Sequence, residues 1–314
     1  MPSALLAMSH SPLLHTAVLQ PSQDIQDGLA ASFERARAFV TEFDPTLIVV
    51  FAPDHYNGFF QDLMPPFCAG TEAYSVGDYD THPGRLLVAA DKAIKLIEAV
   101  HAQGVDMPFS RQMTVDHGMV QPLEMLFGSA AAKPIIPIFV NGVAQPLVPV
   151  ADIRAMGQAV GNYLKTLDER VLIIASGGLS HDPPLPRWDE TDVFGRSFLA
   201  QGRHPTAEWR ETRQANVING AAAFARGELK LIDLNPTWDN EFMDVCASGE
   251  AERFDAYQID EMTATAGNSS HEARSWVAAF SAMSRLGSFD VTYRWYAAIR
   301  EYLAGFGMMT AITV

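Results

Sequence analysis

Cysteine is almost absent from the chain, since its 314 residues include only Cys68 and Cys246. Two cysteines are too few for a disulfide framework or a thiolate metal cluster. Any metal would therefore have to be bound through nitrogen and oxygen ligands.

Basic residues are also few, with 22 Lys and Arg against 37 Asp and Glu and a formal net charge of −15. A charge of this sign and size repels phosphate backbones and anionic membrane surfaces. We therefore expect no nucleic-acid partner and no membrane partner. An anionic substrate would need locally placed Arg or Lys to bind to such a protein.

Long hydrophobic runs are missing as well. No uninterrupted apolar stretch approaches the roughly 20 residues that a membrane helix needs. The first eight residues lack a basic segment, and the histidine at position 10 follows too soon for a secretory signal. These observations predict a cytoplasmic protein.

Short apolar, β-branched runs alternate along the chain with longer segments of helical period. Strands are predicted at 4–8, 46–51, 134–140 and 171–175, and helices at 26–43, 85–102, 151–167, 207–231 and 261–283. This order predicts an α/β fold with a central, mostly parallel or mixed sheet flanked by helices. We expect one catalytic domain over 1–314, with a more helical part from about residue 185 and an aromatic tail.

Four histidines, His10, His55, His117 and His181, stand where apolar runs give way to loops. Because loops at the carboxyl ends of parallel strands converge on one crevice, we expect these side chains to form one site. Each also has an ordinary structural explanation, such as a hydrogen bond to a backbone carbonyl or a place in a turn.

The neighbours of these histidines allow two interpretations each. Asp54 either orients a nearby histidine or shapes a turn through its own backbone. Asp116 could raise the pKa of the adjacent His117 or select its tautomer, although adjacent residues need not face each other. Gly177 and Gly178 permit close backbone approach to a ligand or anion, but they match no nucleotide-binding pattern.

Glu272 is the best candidate for a carboxylate that would complete a metal site. Segment 269–272 has the S-x-x-E spacing of a helix capping box, in which the glutamate returns to the start of the helix. Alternatively, Glu272 shares one apolar helix face with Trp276 and Phe280, where a carboxylate needs a cation or a set of donors. The sequence leaves both interpretations open.

Six segments considered together resemble the class III extradiol catechol dioxygenases: SHSPL, FAPDHYNGFF, MPPFC, VDHGMVQPLEMLFG, SGGLSH and HEARSWVAAF. Within this family, the segments most resemble the members that act on 2,3-dihydroxyphenylpropionate. The resemblance extends from the first strand to about Phe306. It implies a homo-oligomeric, non-haem Fe(II) enzyme with a catechol and O2 as its substrates. Such an enzyme cleaves the ring of 2,3-dihydroxyphenylpropionate, and of 2,3-dihydroxycinnamate, next to the diol.

The same resemblance implies a role for each site residue. His10, His55 and Glu272 correspond to the ferrous ligands, a set of two histidines and one carboxylate that leaves positions open for a catecholate and dioxygen. His181 corresponds to the proton acceptor and His117 to the proton donor. Two histidines in different environments can supply a base and an acid near pH 7.

Two other functions stay open at this point. A zinc-dependent hydrolase would use the same ligand types, with zinc-bound water in place of dioxygen. A non-catalytic binding protein could use the same scaffold, since a fold does not determine a function. The pair His117 and His181 favours an enzyme, because binding alone requires no acid and base.

A propionate side chain on the substrate calls for a cation or a group of donors in this acidic protein. The sequence offers Arg85, Arg111 and Arg274 as candidates without distinguishing between them. The residue that would bind the carboxylate is therefore left unassigned.

Overall fold

The computed structural model describes residues 2–15, 19–202 and 205–314, without the side chains of His15 and Gln201. The strands of the described residues are β1 (Ser3–Met8), β2 (Leu47–Ala52), β3 (Phe67–Gly70), β4 (Ala73–Ser75), β5 (Gly84–Arg85), β6 (Phe109–Ser110), β7 (Met113–Val115), β8 (Ile135–Val140), β9 (Val171–Ser176), β10 (Phe289–Ile299) and β11 (Ala304–Thr313). The α-helices are α1 (Gln23–Phe43), α2 (Ala90–His101), α3 (His117–Phe127), α4 (Val150–Leu164), α5 (Val193–Gln201), α6 (Ala207–Ala225), α7 (Pro236–Ser248), α8 (Ile259–Ala266) and α9 (Arg274–Leu286). Among these described helices, none is both long enough and apolar enough to cross a membrane.

Eight strands form one sheet in the order β10-β11-β1-β9-β2-β8-β3-β6. The central strands β1, β9, β2 and β8 run parallel, whereas β3 pairs antiparallel with β8 and β11 pairs antiparallel with β1. The prediction of a mixed α/β fold is thereby confirmed. A second, three-stranded sheet has the order β5-β4-β7.

Apolar side chains cover both faces of the large sheet, because successive residues of a strand point to opposite sides. Val49 and Ile173 belong to the core cluster that includes side chains of α4 and α9. Their neighbours Ile48 and Leu172 belong to the cluster that includes side chains of α1 and α3. Burial on both faces explains why the central strands are continuous apolar runs rather than alternating ones.

The aromatic tail of the chain forms two strands of the large sheet, β10 and β11. β10 and β11 make an antiparallel pair, and Ala4 of β1 lies opposite Ile312 of β11. Five helices, α5 to α9, do follow residue 185, but the chain then returns to the sheet. The last part of the sequence therefore covers the edge of β1 and shares the core of the N-terminal half.

The single helix predicted over 261–283 is wrong. The helix α8 ends at Ala266, a 3-10 helix spans Asn268–Ala273, and α9 begins at Arg274. Gly267 separates them with a φ of 95°, and a Cβ at this position would lie 2.3 Å from the carbonyl oxygen of His181. The close contact and the positive φ both require glycine, and the break is what sets the direction of Glu272.

Helices α4 and α9 pack with their backbones unusually close. A Cβ added at Gly157 would lie 2.3 Å from the carbonyl oxygen of Ala278, and one at Gly161 would lie 2.3 Å from that of Ala282. Small residues on both helices permit this approach. The position of α9, which begins directly after Glu272, thus depends on glycine at two turns of α4.

We expect Gly157→Ala to destabilise the protein by about 1–3 kcal/mol, because overpacking would outweigh the better helix propensity of alanine. Urea unfolding followed by circular dichroism measures the change. Gly28→Ala in α1 is the matched control, since its Cβ would meet only the movable indole of Trp295, at 3.1 Å. Equal stability of the two variants would contradict the prediction.

Candidate active site

The loops that follow the parallel strands bring the predicted histidines together. His10 follows β1, His55 follows β2 and His181 follows β9, while His117 begins α3 directly after β7. All four rings line one pocket together with Glu272. The ring centroids of His10 and His55 are 5.3 Å apart, and the rings of His55 and His117 stack at 4.5 Å.

The carboxylate of Glu272 lies at the centre of this group and is only 2% exposed. Its Oε1 is 3.1 Å from Nε2 of His55 and 3.0 Å from Nε2 of His181. Its Oε2 accepts a hydrogen bond from the backbone N–H of Gly178 at 3.0 Å and lies 3.6 Å from Nε2 of His10. The capping interpretation is wrong, because neither the 3-10 helix nor α9 has a side-chain cap.

Burial and charge act against each other in the pocket. Burial would raise the pKa of Glu272, but the charge of His181 and the hydrogen bonds from His181 and His55 outweigh it and hold that pKa well below its usual value. Burial lowers the pKa of His10 to about 3, so this ring is neutral and has a lone pair to offer. The pKa values of His55 and His181 are raised despite burial, chiefly by Asp116 and Glu272 for His55 and by Glu272 for His181. Glu272 is therefore a carboxylate anion among these rings.

Asp116 orients His55 and not its own neighbour His117. Its Oδ2 accepts hydrogen bonds from the backbone N–H and from Nδ1 of His55, at 2.7 and 3.1 Å. Oδ2 also accepts from Nδ2 of Asn57 at 3.0 Å, and Oδ1 caps α3 through the N–H of Gly118. The carboxylate therefore determines which nitrogen of His55 faces the pocket. The sequence predicted such an orienting role for Asp116 but assigned it to His117.

Asp54 shapes the loop that carries His55. Its carboxylate accepts backbone hydrogen bonds from Asn57, Gly58 and Phe59, at 3.0 to 3.2 Å. These contacts correspond to the turn interpretation of Asp54. These hydrogen bonds stabilise the turn that follows His55.

The partner of His117 is Asp78, which the sequence analysis missed. Oδ1 of Asp78 accepts from the backbone N–H of His117 at 2.8 Å, and Oδ2 lies 2.6 Å from Nδ1. Tyr79 packs its ring edge-on against the imidazole, with centroids 4.8 Å apart. In the sequence, Gly77 and Asp78 show only a turn signal. No local pattern reports a contact between residues that are 39 positions apart.

The imidazoles of His10 and His181 are also oriented by a contact at Nδ1, the nitrogen that does not face Glu272. Nδ1 of His10 is 2.9 Å from Oγ of Ser176, and Nδ1 of His181 lies 2.9 Å from the carbonyl oxygen of Leu179. Since a carbonyl can only accept, His181 donates from Nδ1. For both rings, Nε2 is then the nitrogen that faces Glu272.

The paired glycines allow the close approach that the sequence predicted. A Cβ at Gly177 would lie 2.5 Å from the backbone oxygen of Glu272, and one at Gly178 would lie 2.8 Å from Cε1 of His181. The anion next to these glycines is the carboxylate of Glu272, which belongs to the chain itself. Their lack of side chains lets the 3-10 helix and the histidine loop meet at the end of β9.

None of the three arginines considered from the sequence lines the pocket. Arg85 forms an exposed ion pair with Glu72, Arg111 is exposed, and Arg274 is buried where it donates to the carbonyl of Val148. The pocket lining instead includes Arg210 and Arg213 of α6. Their i, i+3 spacing in the helix predicted over 207–231 was a signal that both would share one face.

The donors of the pocket fit a metal ion bound by nitrogen and oxygen. Ring nitrogens of His10, His55 and His117 lie within 4.8 Å of one another, and Glu272 adds a buried carboxylate. Both cysteines are buried and neither lines the pocket. An α/β fold with such a pocket at the carboxyl ends of parallel strands is typical of a metal-dependent enzyme.

Comparison with known proteins gives the family. Residues 4–307 match the family model described as the catalytic LigB subunit of aromatic ring-opening dioxygenase, and the chain belongs to this family. It is therefore an enzyme, a ring-cleaving extradiol dioxygenase, as the sequence motifs predicted. The hydrolase and the binding-protein alternatives find no support in this result.

Several relatives carry the name 2,3-dihydroxyphenylpropionate/2,3-dihydroxicinnamic acid 1,2-dioxygenase, and three of them are compared with the chain as follows. The chain is 53% identical over 312 residues to the protein of Rhodococcus globerulus, covering 99% of both chains. It is 52% identical to that of Rhodococcus rhodochrous, over 99% of this chain and 98% of the relative. It is 48% identical to that of Mycolicibacterium paratuberculosis, over 98% of both. The similarity therefore covers the whole site.

We expect Gly178→Ala to lower ring-opening activity roughly 10- to 100-fold, because the new methyl group would displace the imidazole of His181. Steady-state turnover, compared with the unfolding midpoint, measures this effect. Gly28→Ala serves again as the control, since its position is remote from the pocket lining. Unchanged turnover in Gly178→Ala would contradict the prediction.

Proposed function

We propose that the chain, as a single catalytic domain over 1–314, is a non-haem Fe(II) dioxygenase for 2,3-dihydroxyphenylpropionate and 2,3-dihydroxycinnamate. It opens the ring next to the diol and adds both atoms of O2 to the product. The observation that carries the proposal is the buried carboxylate of Glu272 among the imidazoles of His10 and His55. The names of the relatives support the choice of substrate.

The ferrous ligands in this proposal are His10, His55 and Glu272. Two histidines and one carboxylate are the typical ligand set of non-haem Fe(II) oxygenases. A buried carboxylate is costly unless a cation or donors balance it. Among the described residues, Glu272 is the only carboxylate in contact with both imidazoles through ring nitrogens that face the pocket. Bound ferrous iron would supply positions for the catecholate and dioxygen and transfer electrons between them.

His181 is the proton acceptor in this proposal. Its Nδ1 donates to the carbonyl of Leu179, which leaves Nε2 as the nitrogen that can accept the proton of a catechol hydroxyl. The ring is buried and its Nε2 faces the same carboxylate as the proposed ligands do. A base held in this way needs little reorganisation when the substrate binds.

His117 is the proton donor. Its Nδ1 lies 2.6 Å from the carboxylate of Asp78, which fixes the orientation of the ring. Its Nε2 is then the nitrogen that can protonate the substrate during ring cleavage. The stacked contact with His55 keeps this ring next to the proposed ligands without a direct bond between them.

Substrate turnover tests the proposal directly. We expect the Fe(II)-loaded protein in air to convert 2,3-dihydroxyphenylpropionate to a yellow ring-opened product and, with isotopically labelled O2, to incorporate two labelled atoms. 3,4-Dihydroxyphenylpropionate, with the side chain in another position, is the control and should turn over much more slowly. Absence of product from every catechol, or turnover supported by zinc and not by ferrous iron, would refute the proposal.

Metal content separates the two roles of the histidines. We expect His10→Ala, His55→Ala and Glu272→Ala to lose bound iron, because each removes a ligand. His117→Ala and His181→Ala should retain iron and lose ring cleavage. Iron measured by elemental analysis after anaerobic loading, in parallel with turnover, tests this. Loss of iron in His117→Ala together with full retention in Glu272→Ala would assign the third ligand to His117 instead.

The cytoplasmic location and the homo-oligomeric state stay predictions from the sequence.

A further inference from the structure

The proposed substrate brings a negative charge into a pocket that is already rich in carboxylates. Asp78 and Glu272 belong to the pocket lining, and the protein as a whole carries a formal charge of −15. The inference below rests on the proposed function, because a carboxylate on the substrate is what requires a cation here. A substrate carboxylate would be repelled unless a cation in the pocket faced it.

Two cations of the described residues line the pocket, Arg210 and Arg213, and one of them already has partners. Arg213 donates to the carbonyl oxygen of Tyr56 at 3.2 Å and to the carbonyl oxygen of His55. Its guanidinium also lies 5.6 Å from the centre of the Trp209 ring. Arg213 therefore ties α6 to the loop that carries His55.

Arg210 makes no such contacts with the described residues. Its Nε is buried without a hydrogen-bond partner, and its side chain forms no ion pair with any of the described residues. A buried guanidinium N–H without an acceptor is unfavourable, so an acceptor from outside the chain would be stabilised there. The planar guanidinium matches the geometry of a carboxylate.

The rest of the same helix face suits the remainder of a substituted catechol. Gln214 and Val217 follow Arg210 at i+4 and i+7, and all three belong to the pocket lining. Gln214 offers an amide donor. Leu185 and Leu303 line the same pocket and provide apolar surface for a short carbon chain.

We propose that Arg210 is the residue that binds the carboxylate of the substrate side chain, with Gln214 as a second donor. Arg210 determines specificity for anionic catechols with a three-carbon chain next to the diol. Arg213 positions the His55 loop and does not contact the carboxylate.

The test compares two substrates of equal chain length in the Fe(II)-loaded protein, 2,3-dihydroxyphenylpropionate and the uncharged 3-propylcatechol. We expect Arg210→Met to lower the ratio of their kcat/KM values about 10- to 100-fold, mainly through KM for the acid, since a charge-assisted hydrogen bond is lost. Arg210→Lys should recover part of the ratio. Arg226→Met is the matched control, because Arg226 pairs with Glu228 outside the pocket.

A binding measurement makes the test independent of turnover. Calorimetric titration with 3-phenylpropionate, which has the carboxylate and lacks the diol, should give a Kd about 10-fold or more higher for Arg210→Met than for the parent. An unchanged substrate ratio, including equal losses on both catechols, would overturn the assignment of Arg210, as would an unchanged Kd. If the Kd rises but the parent opens neither catechol, the carboxylate site stands and the proposed reaction fails.

Discussion

The site depends on one carboxylate that is buried among imidazoles. Glu272 loses its water on folding, and this cost is balanced by a backbone N–H and by the rings of His55 and His181. The fold therefore needs to bring this carboxylate and its donors to one place. The chain meets that need by interrupting a helix at Gly267 and by omitting side chains at Gly177.

The scaffold holds each imidazole by its second nitrogen. The four partners come from different parts of the chain and are Ser176 for His10, Asp116 for His55, Asp78 for His117 and the Leu179 carbonyl for His181. Such contacts select the tautomer and the orientation of a ring, so that its other nitrogen is available for a metal or a proton. Three of the four rings are delivered by parallel strands, whose carboxyl ends meet at one edge of the sheet.

Local sequence was sufficient for the elements whose pattern is set by burial. The run over 46–51 is apolar because both faces of the sheet are covered, and the observed β2 spans Leu47–Ala52. The convergence of His10, His55 and His181 followed from the general geometry of parallel strands, whereas His117 follows β7 of the small sheet. Gly177 and Gly178 indicated a close approach, but not that Glu272 and His181 are the residues that approach them.

Contacts between distant residues could not be predicted, because no local pattern reports them. Asp78 meets His117 across 39 residues, and the choice of Arg210 depends on which partners the other arginines have already found. The capping box at 269–272 was misleading, because tertiary contacts with buried imidazoles outweigh a local cap. The break at Gly267 was missed because a lone glycine in a helical pattern is common and often tolerated.

The central claim is that Glu272 binds the metal together with His10 and His55. The most direct test is an anaerobic crystal structure of the Fe(II)-loaded protein. We predict an ion bonded to Nε2 of His10, Nε2 of His55 and the carboxylate of Glu272, with His117 and His181 close by but not bonded to it. An ion bonded to His117 in place of Glu272, or bound outside this pocket, would contradict the account.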